Sequence, residues 1–531
     1  MTSERILLTP ASSVFLHARF TLVCGAFVAV LLLVIVRYRN SPWRKLPPGP
    51  RGLPILGHVL DMRGQYWLKF ADWNRAYGDV FSLNAFGNPI LVINSLKAAT
   101  DLLERRAAIY SDRPRLIAGG EVMCGGQVFA LQNSGPHWRR IRKATHEALN
   151  DKGVWERMEH DKVNEAITLA LGLLNQPIHY RDHIHRTSAS FILSATYGTP
   201  LITSKDDALV KVSDEWIERF ARENALGAHL VDTFPLLEYV PRRFAKWRRQ
   251  MEAFFERDTR RFAGLLKGVQ TDMDAGVERP SFASVVLQSD ETRSNLSPLE
   301  KAWTVGFMYA AGTDTMSTTL EWWMIAMIVH PDAQARAQAE IDTVVGRGRI
   351  PTAADLPNLP YVRATVRETL RWRPVSPTGL PHNTSEDDWY EGMFIPKGTT
   401  VIPNVWAMNR EPYGADADNF EPARHLDAQG EMAAAPADTR EEGHVTYGFG
   451  RRICVGRQLA NAALTMHAAM TLWACSLGHA KDENGRDIPV DVDEVCVAGL
   501  AVHPRPFQFN IVPRFSDATH TLIEERDMRA H

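Results

Sequence analysis

The sequence predicts a mainly α-helical protein with small β-sheets, a member of the α+β class. Apolar residues recur at helical spacing along most of the chain, while residues 80–94 alternate as the two strands of a hairpin do. No internal repeat and no long loop divides the body. With 45% apolar and 23% charged residues, the 531-residue chain has the composition of a globular protein.

Charge and cysteine content exclude two classes of protein. Sixty Lys and Arg against 62 Asp and Glu leave a formal charge of −2, so a nucleic-acid binder with a large basic surplus is excluded. The five cysteines are scattered and form no C-x-x-C pair, which excludes a disulfide framework and favours a reducing compartment.

The first element is an apolar segment, residues 20–36, without a charge or a proline. As a helix it is about 25 Å long, which matches the thin bilayer of the endoplasmic reticulum. A secretory signal peptide is the alternative, but five basic residues and no acid follow between Arg37 and Arg51, as in a stop-transfer flank. We therefore expect residues 1–36 to be a single-pass membrane anchor, with the remaining chain in the cytosol.

Residues 37–56 combine this basic flank with a proline-rich stretch, Pro47–Pro54. Proline fixes φ and lacks an N–H group, so the stretch is predicted to be a stiff hinge between the anchor and the body. A random linker explains the same composition. Residues 57–531 then form one globular domain.

Within the body, Val80–Asn94 predicts a hairpin around Gly87 and Asn88. The longest helix begins at a capping box, Ser297 to Glu300, and ends at His330 before a proline. A rod of about 50 Å crosses a whole domain and is buried along most of its length.

The middle of this helix, Ala310–Thr315, holds a glycine and three hydroxyl or carboxyl side chains, against helix propensity. Hydroxyl groups that compete for backbone carbonyls can open a local bulge with room for water. A contact of small residues with a neighbouring helix is the alternative. Further on, Leu359–Arg373 is a predicted helix, in which Glu368 and Arg371 share one face and on their own indicate a surface ion pair.

Cys454 lies between Gly450 and Gly456, two residues after Arg452 and just before a long apolar helix. Backbone N–H groups and the dipole at a helix N-terminus favour thiolate over thiol. A single thiolate without a second cysteine or a histidine nearby does not suit zinc or an iron–sulfur cluster, whereas it suits the axial position of haem iron. The glycines allow the backbone to approach a flat, bulky group.

Residues Tyr447–Ala460 resemble the haem-binding signature F-x-x-G-x-R-x-C-x-G of the cytochrome P-450 superfamily. Other motifs follow the order of that family: Ala311–Thr315 is similar to its oxygen-activation motif, Glu368-x-x-Arg371 to its E-x-x-R pair, and Trp138-x-x-x-Arg142 to the helix that meets the haem propionates. The anchor and hinge match its microsomal branch, and the body is most similar to fungal hydroxylases of specialised metabolism.

The resemblance implies a triangular fold with a long central helix over haem b, held in a catalytic domain of residues 57–531. Cys454 is the implied axial ligand, with Tyr447, Gly450 and Gly456 beside the cofactor. The implied propionate contacts are Trp138, Arg142, His382 and Arg452.

The sequence departs from the family in two places. Tyr447 stands where the signature has phenylalanine, so its hydroxyl needs a partner if it is buried. The P-x-R-F motif is Pro422–His425, with histidine in place of the aromatic residue. We expect Arg424 still to pair with Glu368 and Arg371, which makes these three residues a structural group.

The implied activity is a haem-thiolate monooxygenase that inserts one oxygen atom from O2 into a C–H bond of a small lipophilic substrate, such as a secondary metabolite. Thr315 with Asp314 delivers protons, and an NADPH–cytochrome reductase supplies electrons, with cytochrome b5 as a second candidate donor. The basic residues Arg139, Arg140 and Lys143 either dock the reductase or form a solvated helix face.

The implied substrate pocket is mostly apolar. Its expected walls are Ser111–Ala130, Phe307, Ala311, Val375–Leu380 and Val497–Leu500. Two other functions remain open: a haem-thiolate isomerase or dehydratase that does not use O2, and a non-catalytic membrane haem sensor or carrier. Neither needs the proton relay of Thr315 and Asp314.

Overall fold

The computed structural model describes residues 39–225, 227–289, 295–498 and 501–529, together with residues 25, 32, 36 and 37. The predicted transmembrane segment, residues 20–36, therefore lies for the most part outside the described residues. Among the residues that are described, no helix is long and apolar enough to cross a bilayer.

Helices dominate the fold, and the strands form small sheets, so the predicted mainly α class is confirmed. In chain order the α-helices are α1 Tyr66–Tyr77, α2 Leu96–Ala99, α3 Ala107–Tyr110, α4 Pro136–Leu149, α5 Lys152–Asn175, α6 Tyr180–Tyr197, α7 Ala208–Glu223, α8 Leu230–Thr233, α9 Lys246–Asp274, α10 Phe282–Gln288, α11 Pro298–Val329, α12 Pro331–Val344, α13 Pro360–Trp372, α14 Val405–Met408, α15 Arg457–Ala474 and α16 Ala518–Arg529. Thr100–Arg105 and Ile117–Met123 are π-helical.

The strands are β1 Val80–Ala85, β2 Asn88–Ile93, β3 His382–Asn383, β4 Asp388–Tyr390, β5 Met393–Ile395, β6 Thr400–Pro403, β7 Cys475–His479, β8 Val495–Ala498, β9 Ala501–Pro504 and β10 Phe509–Pro513. One sheet has the order β1-β2-β6-β3, in which β6 runs parallel to β2. The others pair β4 with β5, β7 with β10, and β8 with β9. All are too small to form a separate layer.

The predicted hairpin is confirmed, with its turn one residue earlier than expected. Ala85 pairs with Asn88, and the turn is made by Phe86 (φ 50°) and Gly87 (φ 89°). Positive φ at both central positions is the conformation that matches the twist of two antiparallel strands.

The proline-rich hinge packs against β1. The Ser82 N–H donates to the Pro48 carbonyl (2.8 Å), and the Ser82 hydroxyl donates to the Pro47 carbonyl (2.6 Å). A Cβ on Gly49 would lie 2.0 Å from the Ser82 carbonyl oxygen, so only glycine permits this close approach. The described part of the hinge is therefore held against β1, and the alternative of a random linker does not describe these residues.

Helix α11 has the predicted capping box, since Glu300 N–H donates to Ser297 Oγ (3.2 Å) and Ser297 N–H donates to Glu300 Oε2 (2.6 Å). The helix is buried along most of its length. The expected bulge is absent, because the α-helix is continuous from Pro298 to Val329. Its hydroxyl groups donate to carbonyls one turn back without breaking the backbone pattern, as in Thr313 to Tyr309 (3.0 Å).

Gly312 shows why a small residue is needed in this helix. A Cβ there would lie 3.0 Å from Cδ1 of Ile192 on α6, which packs along α11. The alternative of a small-residue contact with a neighbouring helix therefore accounts for Gly312. Helix α15 also packs on α11.

Candidate active site

Cys454 lies three residues before α15, in a loop that the backbone holds tightly. Its N–H donates to the Tyr447 carbonyl (2.8 Å). Gly450 has φ 53°, and a Cβ there would lie 2.2 Å from the Leu103 carbonyl oxygen. Gly450 is therefore required by its close approach to Leu103, and its predicted place beside a flat group stays a prediction. A Cβ on Gly456 meets no atom within 4 Å, so space is open on that side.

The Cys454 side chain is accessible, yet protein atoms surround it closely. The pKa of the Cys454 thiol is raised, because burial outweighs the hydrogen bond from the Gly456 N–H group and the charges of Arg142 and Arg457, which lower it. These groups face the sulfur with positive charge or N–H dipoles. They suit a thiolate whose remaining charge is compensated by a bound metal cation.

Thr315 is exposed, although it lies in the middle of the buried helix α11. Its neighbours Thr313 and Met316 are buried, while Ala311 and Asp314 are partly exposed. The accessible residues Ala311, Asp314 and Thr315 thus lie along one turn of α11. The Thr315 hydroxyl donates to the Ala311 carbonyl (2.9 Å), which leaves its oxygen lone pairs free to accept a hydrogen bond.

A group of buried or half-buried basic side chains, three arginines and a histidine, lies near the cysteine loop. We call it the cationic cluster; its members are Arg113, Arg142, His382 and Arg452. Arg452 donates to the carbonyls of Ser111 (2.7 Å), Phe129 (3.3 Å) and Gln132 (2.5 Å), and its guanidinium lies 4.3 Å from the ring centroid of Trp138 on α4. Arg142, also on α4, donates to the Ile453 carbonyl (2.5 Å), next to the cysteine.

Arg113 is the functional candidate that the sequence analysis missed, because it counted only as part of the substrate loop. Its guanidinium donates to the carbonyls of Ala130 (2.9 Å), Leu380 (2.7 Å) and Pro381 (2.8 Å). Burial and the nearby charge of Arg452 lower its pKa. Its only signal in the sequence is a charge in the expected substrate loop, and Asp112, Arg115 and Glu121 give the same signal.

His382 is buried in the same cluster, and its Nδ1 lies 2.7 Å from the Tyr110 carbonyl oxygen, so Nδ1 carries a proton. Burial and the charges of Arg113 and Arg452 lower the pKa of His382 well below its usual value. The neutral ring therefore presents an Nε2 lone pair. It can donate from Nε2 only as an imidazolium, which a neighbouring anion stabilises.

None of the three guanidinium groups of the cationic cluster forms a salt bridge with a carboxylate anywhere in the described part of the chain. Asp112 acts on Arg452 at longer range, and burial together with Arg142 keeps the Arg452 pKa near 10. Buried cations that face only carbonyls favour an anionic ligand. The cluster therefore fits the two propionates of a haem, and the accessible Cys454 fits its iron.

A second group of buried charges lies on α13 and the Pro422–His425 turn. We call it the Glu368 cluster; its members are Glu368, Arg371, Arg424 and His425. Glu368 accepts hydrogen bonds from Arg371 (2.7 and 2.8 Å), Arg424 (3.0 Å) and His425 (2.8 Å). Glu368 and Arg371 are fully buried, so the interpretation as a surface ion pair is wrong.

Arg424 and Arg371 do not pair directly, but both donate to the Asn419 carbonyl (3.2 and 3.0 Å). The histidine that replaces the expected aromatic residue makes one more hydrogen bond to the carboxylate. Burial alone raises the pKa of Glu368, yet the hydrogen bonds from His425 and Arg371 lower it to about 2. The cluster is thus anchored by an ionised carboxylate.

The hydroxyl of Tyr447 has the partner that its burial requires. It donates to Asn461 Oδ1 (2.6 Å) on α15, and the Asn461 amide in turn donates to Glu442 (3.1 Å). Burial raises the pKa of Tyr447 well above its usual value, so the group stays a phenol and a donor.

Part of the expected substrate pocket is present as a cavity of about 250 Å³. It is lined by Arg113, Pro114, Leu116, Ser376–Leu380 and Val497 from the expected walls, and in addition by Tyr66, Trp67, Leu131, Asn224 and Val502. Phe307 instead packs in an aromatic group with Phe129, 5.5 Å away between ring centroids, and Ala311 does not line the cavity. Residues 499 and 500 lie outside the described part.

A larger cavity, about 450 Å³, lies between the hinge and the sheet, where Trp43, His58 and Phe394 form part of its wall. None of the candidate site residues lines this larger cavity, and Arg113 is the member of the cationic cluster that lines the smaller one. Neither Cys454 nor Thr315 is among the lining residues of the two cavities, so cavity size does not locate the site.

Comparison with known proteins assigns the family. The profile described as Cytochrome P-450 matches residues 47–511. A cytochrome P-450 monooxygenase of Armillaria gallica is 49% identical over 503 residues, which cover 94% of this chain and 96% of that protein. Cytochrome P-450 monooxygenase 58 of Postia placenta is 42% identical, over 93% of each chain. Cytochrome P-450 monooxygenase iboC of Amanita muscaria is 37% identical, over 91% of this chain and 94% of that protein.

The chain belongs to the cytochrome P-450 family, and it is a monooxygenase of that family. The predicted similarity to fungal members is confirmed. The two alternatives, an enzyme that does not use O2 and a haem carrier without catalysis, find no support among these relatives.

Proposed function

We propose that the protein hydroxylates a C–H bond of a small lipophilic substrate, such as a secondary metabolite, with one oxygen atom from O2 and electrons from an NADPH–cytochrome reductase. Three observations carry the proposal: Cys454 before α15 is accessible, Thr315 on the buried helix α11 is accessible, and a cationic cluster that contacts the cysteine loop has no carboxylate in a salt bridge within the described part of the chain. The Cys454 sulfur would hold the iron of a bound haem b, which would supply the activation of O2.

Residues of the chain bind the haem iron and the haem propionates. Cys454 holds the iron, and Gly456 N–H and Arg142 stabilise negative charge on its sulfur. The cationic cluster binds the propionates, for which guanidinium is suited because its fork can bind a carboxylate with two hydrogen bonds. Trp138 holds Arg452 in place through its ring face.

Thr315 and Asp314 handle protons at the other side of the site. The Thr315 oxygen accepts a hydrogen bond from the reacting group or from water, because its own proton is donated to Ala311. Asp314, the preceding residue, is partly exposed and can hold a proton at its carboxyl group. Their place on α11 gives both residues a rigid support.

The substrate cavity has apolar walls from Trp67, Leu116, Leu131 and Val497, with a few hydroxyl groups such as Thr378. Such walls bind an apolar molecule by removing its surface from water, and the hydroxyl groups fix its orientation. This supports a lipophilic substrate class.

The reductase is proposed to dock on α4, where Arg139, Arg140 and Lys143 are exposed. Arg140 lies 3.9 Å from Glu300, and Lys143 lies 3.7 Å from Glu147. Because both ion pairs are long, either side chain can also bind an acidic partner. Cytochrome b5 is a further candidate for the same face. We also propose an endoplasmic reticulum location, single-pass through residues 20–36, with the catalytic domain in the cytosol.

The direct test is Thr315→Ala in the purified haem enzyme with reductase and NADPH. We expect a several-fold increase in the peroxide released per NADPH oxidised, because proton delivery to oxygen is impaired. Thr343→Ala is the matched control, since Thr343 makes the same hydrogen bond to a carbonyl one turn back (2.9 Å) on the exposed face of α12. Equal peroxide yields would remove Thr315 from the relay, and a reduced enzyme that consumes no O2 would contradict the proposed reaction.

A further inference from the structure

Asp314 has a partner that the sequence analysis did not foresee. His503 on β9 places Nε2 3.3 Å from Asp314 Oδ1, and β9 packs against α11. The other ring nitrogen, Nδ1, lies 3.0 Å from the Thr318 hydroxyl, one turn further along α11. His503 therefore contacts side chains on two successive turns of α11, the helix that carries Thr315.

The contacts of His503 show where a proton can be exchanged. Both ring nitrogens lie within hydrogen-bond reach of the Thr318 hydroxyl, Nδ1 at 3.0 Å and Nε2 at 3.3 Å, and this hydroxyl donates to the Asp314 backbone carbonyl (2.8 Å). Nε2 also faces Asp314 Oδ1. A proton on either of these two atoms can be donated to the other, so the pair can share and exchange one proton.

Further titratable groups lie near enough to this pair to act on it electrostatically. On α11, Glu321 lies 3.2 Å from Arg181 of α6, and its charge acts on both His503 and His185. His185 of α6 lies 3.0 Å from Asp214 of α7, whose side chain is half exposed. Burial raises the pKa of Glu321, so this carboxyl group can also carry a proton.

We propose that His503 is a positioning residue for Asp314: it orients the carboxyl group beside Thr315 and returns a proton to it after each transfer. This rests on the proposed role of Thr315 and Asp314. The shared proton leaves Asp314 Oδ1 towards the Thr315 side, which leaves a carboxylate beside a neutral imidazole. The imidazole then takes a proton from water on the side of Glu321, His185 and Asp214, and its Nε2–H group shares that proton with Asp314 again.

A purely structural His503 would only hold β9 against α11. Glutamine separates the two roles, since His503→Gln keeps an N–H donor for Asp314 but does not carry a proton. His503→Asn serves as a second variant of smaller size. His520→Gln is the matched control, because His520 is an exposed histidine with an acidic partner, Glu524, on the last helix.

The first measurement is the ratio of NADPH to O2 consumed by the purified haem enzyme with NADPH–cytochrome reductase and no added substrate. Reduction of O2 to water uses two NADPH, and reduction to peroxide uses one. We expect both His503 variants to increase the peroxide share several-fold, with the His520 control unchanged. If Asp314→Asn increases the peroxide share but the His503 variants do not, the role of His503 is overturned and the proposed function stands. If Asp314→Asn has no effect, the proposed relay itself fails.

The second measurement does not depend on turnover. Urea denaturation midpoints are determined for Asp314→Asn, for His503→Gln and for the double variant. Since the pair shares one proton, the double variant should lose little more than the more damaging single variant. Additive losses would show that the two side chains do not interact, and the proposal would be overturned.

Discussion

Two groups of buried arginines in this protein differ in what they face. In the Glu368 cluster, Arg371 and Arg424 share a carboxylate at 2.7 to 3.0 Å. In the cationic cluster, Arg113 and Arg452 donate to backbone carbonyls and have no carboxylate within salt-bridge distance in the described part of the chain. Both groups are buried and both are held by many hydrogen bonds.

The difference separates a structural group from a ligand site. A buried pair of opposite charges is complete, and removing one partner leaves the other uncompensated. A group of buried cations is incomplete, and its repulsion is relieved when an anion binds. Burial of arginine therefore does not reveal its role, whereas the presence or absence of a carboxylate partner does.

The largest expected effect comes from the same substitution made in both groups. Arg371→Met leaves Glu368 with fewer partners and should lower the free energy of unfolding by about 3 to 5 kcal/mol. Arg113→Met removes a repelled cation and leaves carbonyls without a donor, so it should cost about 1 to 3 kcal/mol. Urea denaturation of the two variants measures both values.

The effect on haem affinity should have the opposite order, so that Arg113→Met weakens haem binding more than Arg371→Met does. Arg113→Met is expected to weaken haem affinity by about 10- to 100-fold, as for the loss of one charge-assisted hydrogen bond. Haem content after dilution, measured by absorbance, checks this, and Arg113→Lys is the control that keeps the charge. If the Arg113→Met protein retained its haem fully, the cationic cluster would not bind the cofactor, and the difference proposed between the two groups would be contradicted.

The next effect is a pH dependence that belongs to the Glu368 cluster. The pKa of Glu368 is lowered from 4.5 to about 2 in the folded protein. A lowered pKa contributes stability that is complete above about pH 4.5 and is lost as the pH falls towards 2, on the order of 3 kcal/mol. The stability gap between the parent protein and Glu368→Gln should therefore narrow below about pH 4.5. A gap that stays constant would mean that Glu368 is not ionised in the fold.

A smaller effect is expected at the histidine that departs from the family motif. His425→Phe removes one hydrogen bond to Glu368 (2.8 Å) and leaves both arginines in place. The loss should be about 2 kcal/mol, as for a hydrogen bond to a charged group. Thermal or urea unfolding measures it, with His520→Phe on the exposed last helix as control. A more stable His425→Phe variant would show that packing outweighs this hydrogen bond.

The smallest effect is expected for Tyr447→Phe, which restores the residue of the family signature. Asn461 Oδ1 loses its donor at 2.6 Å, and the free energy of unfolding should fall by about 1 kcal/mol. The absorption spectrum of the haem should stay unchanged, because the hydroxyl points to Asn461 and not to Cys454. A changed spectrum would place the hydroxyl closer to the thiolate than the structure does.

The sequence predicted those features that depend on local chemistry. Helix α11 begins and ends where its capping box and Pro331 indicate, and the hairpin follows from alternation and a glycine turn. A resemblance in motifs was enough to find Cys454. These features are set by residues a few positions apart, so their physical cause is visible in the sequence.

Features that depend on contacts between residues far apart in the sequence were not predictable. Arg113 gains its role because the Leu380 and Pro381 carbonyls reach it from far along the chain. Gly450 is required by Leu103, and Glu368 is buried because the Pro422–His425 turn covers it. The partner of Asp314 comes from β9. No spacing rule contains these contacts, because each is created by the tertiary fold.

The central claim is that the Cys454 thiolate binds haem iron, and the most direct measurement is the absorption of the ferrous carbon monoxide complex. Cys454→Ser is compared with Cys496→Ser, which alters another exposed cysteine. The account predicts that the parent protein and Cys496→Ser show the red-shifted band of a thiolate-bound haem and that Cys454→Ser does not. A Cys454→Ser protein that keeps this band would contradict it.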